Sequence, residues 1–294
     1  MLLFAAMGVI WGIPYLLIKV AVRDLSPDVL VFGRTAIGAL LLVPAAAARH
    51  QLRPLASVWR PLLAYTVIEL AVPWLLLATA EQRLSSSLTA LLVASVPLVG
   101  AVLAWSLGDR GSLGTRGIVG LAVGLAGVAA LVGFDVGGAD FGSVAMVAAV
   151  AVGYAVGPAI FARKLGQVPP LGVAAASLGL CALGFAPIAA FHVPEAAPSA
   201  RALLAVAVLG IVCTALAFVL FFELINEIGP VRATVITYVN PAVAVVLGVT
   251  LLDERFSLAT AVGFALVLAG SVLATAPRPR RPALASPSAS IVEP

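Results

Sequence analysis

The sequence predicts an all-α integral membrane protein: ten transmembrane helices arranged as two inverted five-helix repeats. Three observations predict it. The composition is too apolar for water, the chain divides into ten apolar runs, and the second half repeats the first at an offset of 144 residues.

Composition sets the solvent. Of 294 residues, 62% are hydrophobic and 10% are charged, whereas soluble domains carry about 25% charged residues. Mean hydropathy is +1.15. No soluble core hides so much apolar surface, and the bilayer is the matching solvent. The net charge of +4 comes from bases scattered singly between apolar runs. That distribution excludes a nucleic-acid-binding face and makes the bases topology signals. Cys181 and Cys213 lie inside apolar runs without metal-ligand spacing, and His50 and His192 fall in loops. No metal centre and no cofactor is expected.

A spanning helix needs about 20 apolar residues. Charged and Pro/Gly breaks give runs at 2–22, 28–48, 61–80, 86–107, 115–134, 141–163, 171–191, 201–224, 231–252 and 257–276. The first run has no basic leader before it and no small-residue cleavage site after it, so it reads as a spanning helix rather than a signal peptide. The alternation of a membrane barrel is absent. With the N-terminus in the cytoplasm, the inside segments hold Arg49, Arg53, Arg60, Arg110, Arg116, Arg163, Lys164, Arg232, Arg278, Arg280 and Arg281. The outside segments hold Lys19, Arg23, Arg83, Arg201 and Arg255. This bias puts both termini inside a plasma (inner) membrane.

The repeat is clearest in VRATVITYVNPAVAVVLGVTLLDER, Val231 to Arg255, with a weaker copy in SLTALLVASVPLVGAVLAWSLGDR, Ser87 to Arg110. Pro97 matches Pro241, Asp109 matches Asp253, Pro14 matches Pro158 and Lys19 matches Arg163. One residue out of step, Gly120 and Gly127 match Gly263 and Gly270. Five helices per half is an odd number, so the second half inserts upside down. The expected units are residues 1–135 and 140–276, followed by a Pro/Ser/Ala-rich tail, 277–294, read as disordered and cytoplasmic.

Inverted repeats with mirrored helix breakers point to a central site near the midplane. Proline removes a backbone donor and frees a carbonyl four residues earlier, which in lipid must meet protein or a water-filled cavity. Pro14, Pro97, Pro158 and Pro241 are those breakers. Trp11 and Tyr15 flank Pro14, Tyr154 precedes Pro158, Tyr238 and Asn240 precede Pro241, and Trp74 follows Pro73. These six form the candidate substrate cavity; the plainer reading is packing or interface anchoring. Charges inside spans each need a reason. Glu69 stands near the midplane of the third run and Arg34 about 9 Å into the second at helical rise. Both are candidate proton-coupling residues, Glu69 the stronger, with a protonated structural carboxyl as its alternative. Lys19, Arg23 and Arg163 lie near run ends and read as snorkelling side chains. Ser85, Ser86 and Ser87 read as a helix start. Gly117, Gly120, Gly124, Gly127, Gly263 and Gly270 mark close-packing faces on the fifth and tenth helices, for packing within the chain or for a homodimer.

Several of these residues carry a family resemblance. Trp11-Gly12 in the first helix, VFGRTAIGALLLVP around Arg34, and YVNPAVAVVLGVTLLDERFS followed by AVGFALVLAGSVLA resemble the EamA family of the drug/metabolite transporter superfamily. Pro241, Glu254, Gly263 and Gly270 fit its Pro–Leu-x-Glu–Gly-x6-Gly pattern. The first copy departs from it: Asp109, Arg110 and Gly111 stand where the leucine–acid turn has glutamate. Glu69 lies outside the pattern, and its role rests on physics alone. The resemblance implies a ten-helix carrier in the lipid bilayer that moves a small metabolite or toxic compound by alternating access, usually outward. An uncoupled facilitator or importer is the alternative. A non-transporting membrane partner or sensor, and a membrane-embedded enzyme, fit less well because no convergent catalytic set is present.

Overall fold

A computed structural model describes residues 2–107, 115–135, 140–229 and 234–275. The expected tail at 277–294, the Asp109–Gly111 turn and Arg232 lie outside the described residues. The chain is helical throughout, without strands among the described residues. In order, α1 is Leu2–Ala21, α2 Pro27–Ala48, α3 Arg53–Glu81, α4 Ser86–Ser106, α5 Thr115–Asp135, α6 Phe141–Leu165, α7 Pro170–Phe191, α8 Ala200–Ile228, α9 Ile236–Leu252 and α10 Leu258–Thr275. Among the described residues nine helices are long and apolar enough to cross a bilayer, and α9 is apolar but shorter. The third helix starts earlier than its apolar run because a 3-10 turn, Arg53–Val58, precedes it.

Local chemistry sets the ends. Ser85, Asp140 and Ser199 cap α4, α6 and α8, accepting from the backbone N–H of Leu88, Gly142 and Ala202. These short polar side chains satisfy donors that a helix start leaves open. The Ser85–Ser87 start expected from sequence is this cap. Helix α8 stops at Gly229, whose φ of 82° suits glycine, and α9 stops at Asp253 with φ 55°.

The four prolines act in two ways. At Pro97, α4 is broken: Ser86–Val93 ends, Ala94 and Ser95 turn, and Val96–Ser106 begins with the proline in its first turn. At Pro241, a 3-10 turn, Thr234–Tyr238, gives way to Asn240–Leu252, again with the proline in the first turn. Pro14 stays inside a continuous α1. Pro158 sits just before a π turn, Phe161–Leu165. Two further π turns stand at Thr66–Ala71 in α3 and Ile211–Leu216 in α8, 145 residues apart. In α3 the cause is Pro73, which has no N–H to offer the carbonyl of Glu69; Val72 N–H bonds instead to Val67 O.

Packing follows small residues. Helix α5 lies along α10, where a Cβ on Gly120 would fall 2.5 Å from Ala274 N, and one on Gly127 2.7 Å from Val267 N. Gly263 and Gly270 face back onto α5. Of the glycines expected to mark packing or a dimer surface, Gly120, Gly124, Gly127, Gly263 and Gly270 are thus packed within the chain. Helix α2 pairs with α7, α3 with α6 and α1 with α9. The main core cluster joins α1, α2, α3, α7 and α8 through Ile18, Leu30, Leu70, Leu178 and Leu209. Outward faces carry exposed Leu40, Leu125, Leu183, Leu204 and Val246, which suit lipid rather than water.

Candidate functional site

Among the described residues, the ionisable side chains drawn into this apolar body fall into two groups, joined along α1. The deeper one begins with Arg34 on α2. Its Nε donates to Thr214 Oγ1 at 2.8 Å, and its guanidinium carbon lies 3.7 Å from the centre of the Trp74 ring. Only 6% of the residue is exposed. The approach depends on glycine: a Cβ on Gly210 of α8 would strike Ile37, and one on Gly38 would press on Thr214. Thr214 itself sits on the α8 π turn. Tyr15 is buried beside this group, and Tyr15, Tyr154 and Cys213 all lie within electrostatic reach of Arg34.

Glu69 sits on the matching π turn of α3. Its carboxyl packs against Gly157 of α6, where any Cβ would collide with it, and Gly153 one turn earlier admits Ile68 O and Pro73. Glu69 Oε2 is buried and has no hydrogen-bond partner. Tyr154 is within electrostatic reach of both Glu69 and Arg34. Arg34 and Glu69 therefore belong to one neighbourhood without bonding each other.

The second group closes one end of the bundle. Lys19 Nζ, one turn beyond Tyr15, donates to the carbonyls of Glu81 at 2.6 Å and Leu84 at 2.8 Å. The reading of Lys19 as a snorkelling end residue is thereby corrected: it turns inward to satisfy the end of α3. Glu81 is fully buried, and neither carboxyl oxygen has a hydrogen-bond partner. Beside it, the Glu254 carboxylate takes Ser86 N–H at 2.7 Å, Ser87 N–H at 2.9 Å and Ser87 Oγ–H at 2.5 Å. This is an anion on a helix N-terminus, reached because Gly248 lets α9 approach Ser86 and Ser87.

The same end carries further ties. Arg83 meets Asp140 at 2.6 Å, His192 Nδ1 lies 2.8 Å from Asp28 Oδ2, and Ser199 N–H donates to Asp24 at 2.9 Å. The hydroxyl of Ser143, then the Arg83 guanidinium, hold the Asp140 carboxyl below the usual aspartate range. Ser199 does the same for Asp24. At the opposite end a groove of about 420 Å³ opens between α1 and α8, lined by Leu2, Leu3, Ala6, Leu220 and Glu227.

The structure thus brings Tyr15, Arg34, Trp74, Tyr154 and Glu69 of the expected residues into one region. The others lie elsewhere. Trp11 packs its ring 4.6 Å from Phe221, in a separate apolar cluster with Met7 and Ile236. Asn240, with its amide nitrogen turned toward the carbonyls, donates to Gly8 O at 3.1 Å and Ile236 O at 2.9 Å, tying the start of the broken α9 segment to α1. Tyr238 reaches Thr275 on α10, with the hydroxyls 3.4 Å apart. Glu81, Thr214 and the inward role of Lys19 were missed by sequence reasoning. The offset of 144 residues read from the sequence pairs Glu69 with Cys213, one residue short of Thr214.

Apolar spanning helices, two of them interrupted at proline, around buried charges make a polytopic membrane transporter rather than an enzyme. The chain belongs to the EamA-like transporter family, whose sequence model matches residues 1–133 and again 142–276. It is 31% identical over 282 residues to the inner membrane transporter YedA of Escherichia coli (strain K12), covering 92% of this chain and 88% of that protein. It is 28% identical over 277 residues to the transporter YvbV of Bacillus subtilis (strain 168), covering 91% and 88%. A solved crystal structure, described only as that of a protein, matches with a TM-score of 0.67 at 25% identity, covering 93% of this chain and 95% of that one.

Proposed function

We propose that this chain exports a small metabolite or drug-like compound across an inner membrane by alternating access, with proton coupling through Glu69. Two inverted five-helix halves, residues 1–135 and 140–276, rock against each other about a site near the midplane. Both termini and the 277–294 tail are cytoplasmic. The observation that carries the reading is the pairing of irregularities. Broken helices at Pro97 and Pro241, and π turns at Thr66–Ala71 and Ile211–Leu216, recur at offsets of 144 and 145 residues. In lipid such irregular backbone is tolerated only where it faces protein or a cavity, and the two π turns carry Glu69 and Thr214, the residue that Arg34 bonds.

On the orientation favoured by the Lys and Arg distribution, the end tied by Lys19, Glu81, Glu254, Arg83 and Asp140 is external, and the groove beside Leu2 and Glu227 is cytoplasmic. The conformation is then closed outside. Moving to an outward-open state requires separating Glu254 from the start of α4, a contact between the two halves. Glu69, whose Oε2 is buried on a π turn without a hydrogen-bond partner, exchanges a proton as the substrate enters or leaves. Arg34, locked by Thr214 and Trp74, keeps a fixed positive charge close by.

The test is efflux from cells expressing wild type or Glu69→Gln, with metabolites profiled in the medium before and after the proton gradient is collapsed. Gradient-dependent accumulation of a compound, abolished by Glu69→Gln, is the expected result. Accumulation indifferent to both would make the protein a facilitator and Glu69 structural. Uptake instead of release would make it an importer.

A further inference from the structure

We propose that Arg34 anchors a carboxylate of the transported compound, so that substrates are amphipathic molecules carrying one carboxylate. The proposal rests on the transporter reading and adds its substrate class. Arg34 is a permanent cation, 6% exposed, inside the bundle. Its electrostatic neighbours are Tyr154, Cys213 and Tyr15, none of them an acid. Of its parts, Nε is spent on Thr214 and one face is covered by Trp74. The terminal nitrogens donate to no described residue. What remains is the edge of a planar fork held rigid from behind, the geometry that takes a carboxylate through two parallel hydrogen bonds.

The surroundings narrow the class further. Trp74, Tyr15 and Tyr154 offer ring surface for an apolar body. Glu69 stands within electrostatic reach of Tyr154, so a second acidic group on the ligand would face an acid rather than a base. That disfavours dicarboxylates and phosphates and leaves simple carboxylates and amino-acid-like zwitterions, whose ammonium suits the Glu69 side. A buried arginine kept only for structure would be expected to carry a paired acid, and Arg34 has none among its electrostatic neighbours.

The experiment uses purified full-length protein in nanodiscs. Thermal stabilisation is titrated with hexanoate, 3-phenylpropanoate and L-leucine, each against its own primary amide. At least one acid is expected to bind at least tenfold more tightly than its amide. That preference should vanish in Arg34→Gln and fall in Thr214→Val, which keeps the charge but frees Nε. If Arg34→Gln yields no folded protein, Arg34→Lys keeps the charge without the fork, and should weaken the acid at least tenfold while sparing the amide. An amide that binds as well as its acid, a variant that keeps the preference, or a wild type that binds none of the three acids overturns the proposal. The measurement needs no gradient and no direction, so its failure is separate from failure of the efflux test.

Discussion

Removing the Glu254 carboxylate should unfasten the start of α4. Three donors converge on it: Ser86 N–H at 2.7 Å, Ser87 N–H at 2.9 Å and Ser87 Oγ–H at 2.5 Å. Hydrogen bonds to a charged group are each worth about 1.5–3 kcal/mol. Glu254 is only partly buried, so water replaces much of that when it is lost. The measured range for helix caps, about 0.5–2 kcal/mol, plus about 0.3–1 kcal/mol for the charge at the helix N-terminus, gives about 1–3 kcal/mol for Glu254→Ala. Glu254→Gln keeps one acceptor but turns an NH2 toward a donor, and should lose about half as much. At roughly 2–4 °C per kcal/mol for larger domains, Glu254→Ala should lower the melting temperature by about 2–12 °C. Cys181 and Cys213 are buried and free, so a thiol-reactive fluorophore reads unfolding directly. The neighbouring Asp253→Asn, at a φ of 55° that asparagine tolerates, is the control. A Glu254→Ala shift no larger than that of Asp253→Asn would refute the capping argument.

Three further outcomes follow from the structure. Gly127→Val places its Cβ 2.7 Å from Val267 N and 2.8 Å from Gly263 O; overpacking of this kind costs about 1–3 kcal/mol, and the variant should lose its monodisperse peak in size-exclusion chromatography. Lys19→Met strips charged donors from the Glu81 and Leu84 carbonyls and should lower the melting temperature more than Lys164→Met, which alters an exposed base on α6. Asp24 and Asp140 both have folded pKa values below their unfolded ones, so their contribution is present above about pH 4 and is lost as pH falls through the folded values. Thermal stability should therefore drop below about pH 4, with a shallower drop in Asp140→Asn.

The helices were legible because their cause is local. Apolar runs, Ser85 before α4 and the prolines at 97 and 241 act within a turn or two of their own position. The glycines on α5 and α10 were legible as close-packing residues for the same reason. Their partner was not, since nothing in the period of one helix says which other helix it meets. Lys19 shows where the local rule fails. A lysine near a helix end is free to reach water, and only the end of α3, 62 residues away, decides that it turns inward. Arg34 and Thr214 are 180 residues apart, and the π turn that offers Thr214 has no proline to announce it. Glu81 sat at the end of an apolar run like any interfacial acid; the charges within its reach, Lys19 of α1 and Glu254, lie 62 and 173 residues away.

The contact between Glu254 and Ser87 also has a history in time. The two residues are 167 positions apart, and at a synthesis rate of about 5–20 residues per second the ribosome needs roughly ten to thirty seconds to travel from one to the other. Throughout that interval α4 is already made, with its first backbone donors waiting for an acid that does not yet exist. The earlier half is thus delivered to the membrane unfinished, and a chain cut anywhere before residue 254 leaves it so. The same wait binds any attempt to encode the halves separately: the later piece would have to return its carboxylate to the earlier one across a gap between two molecules.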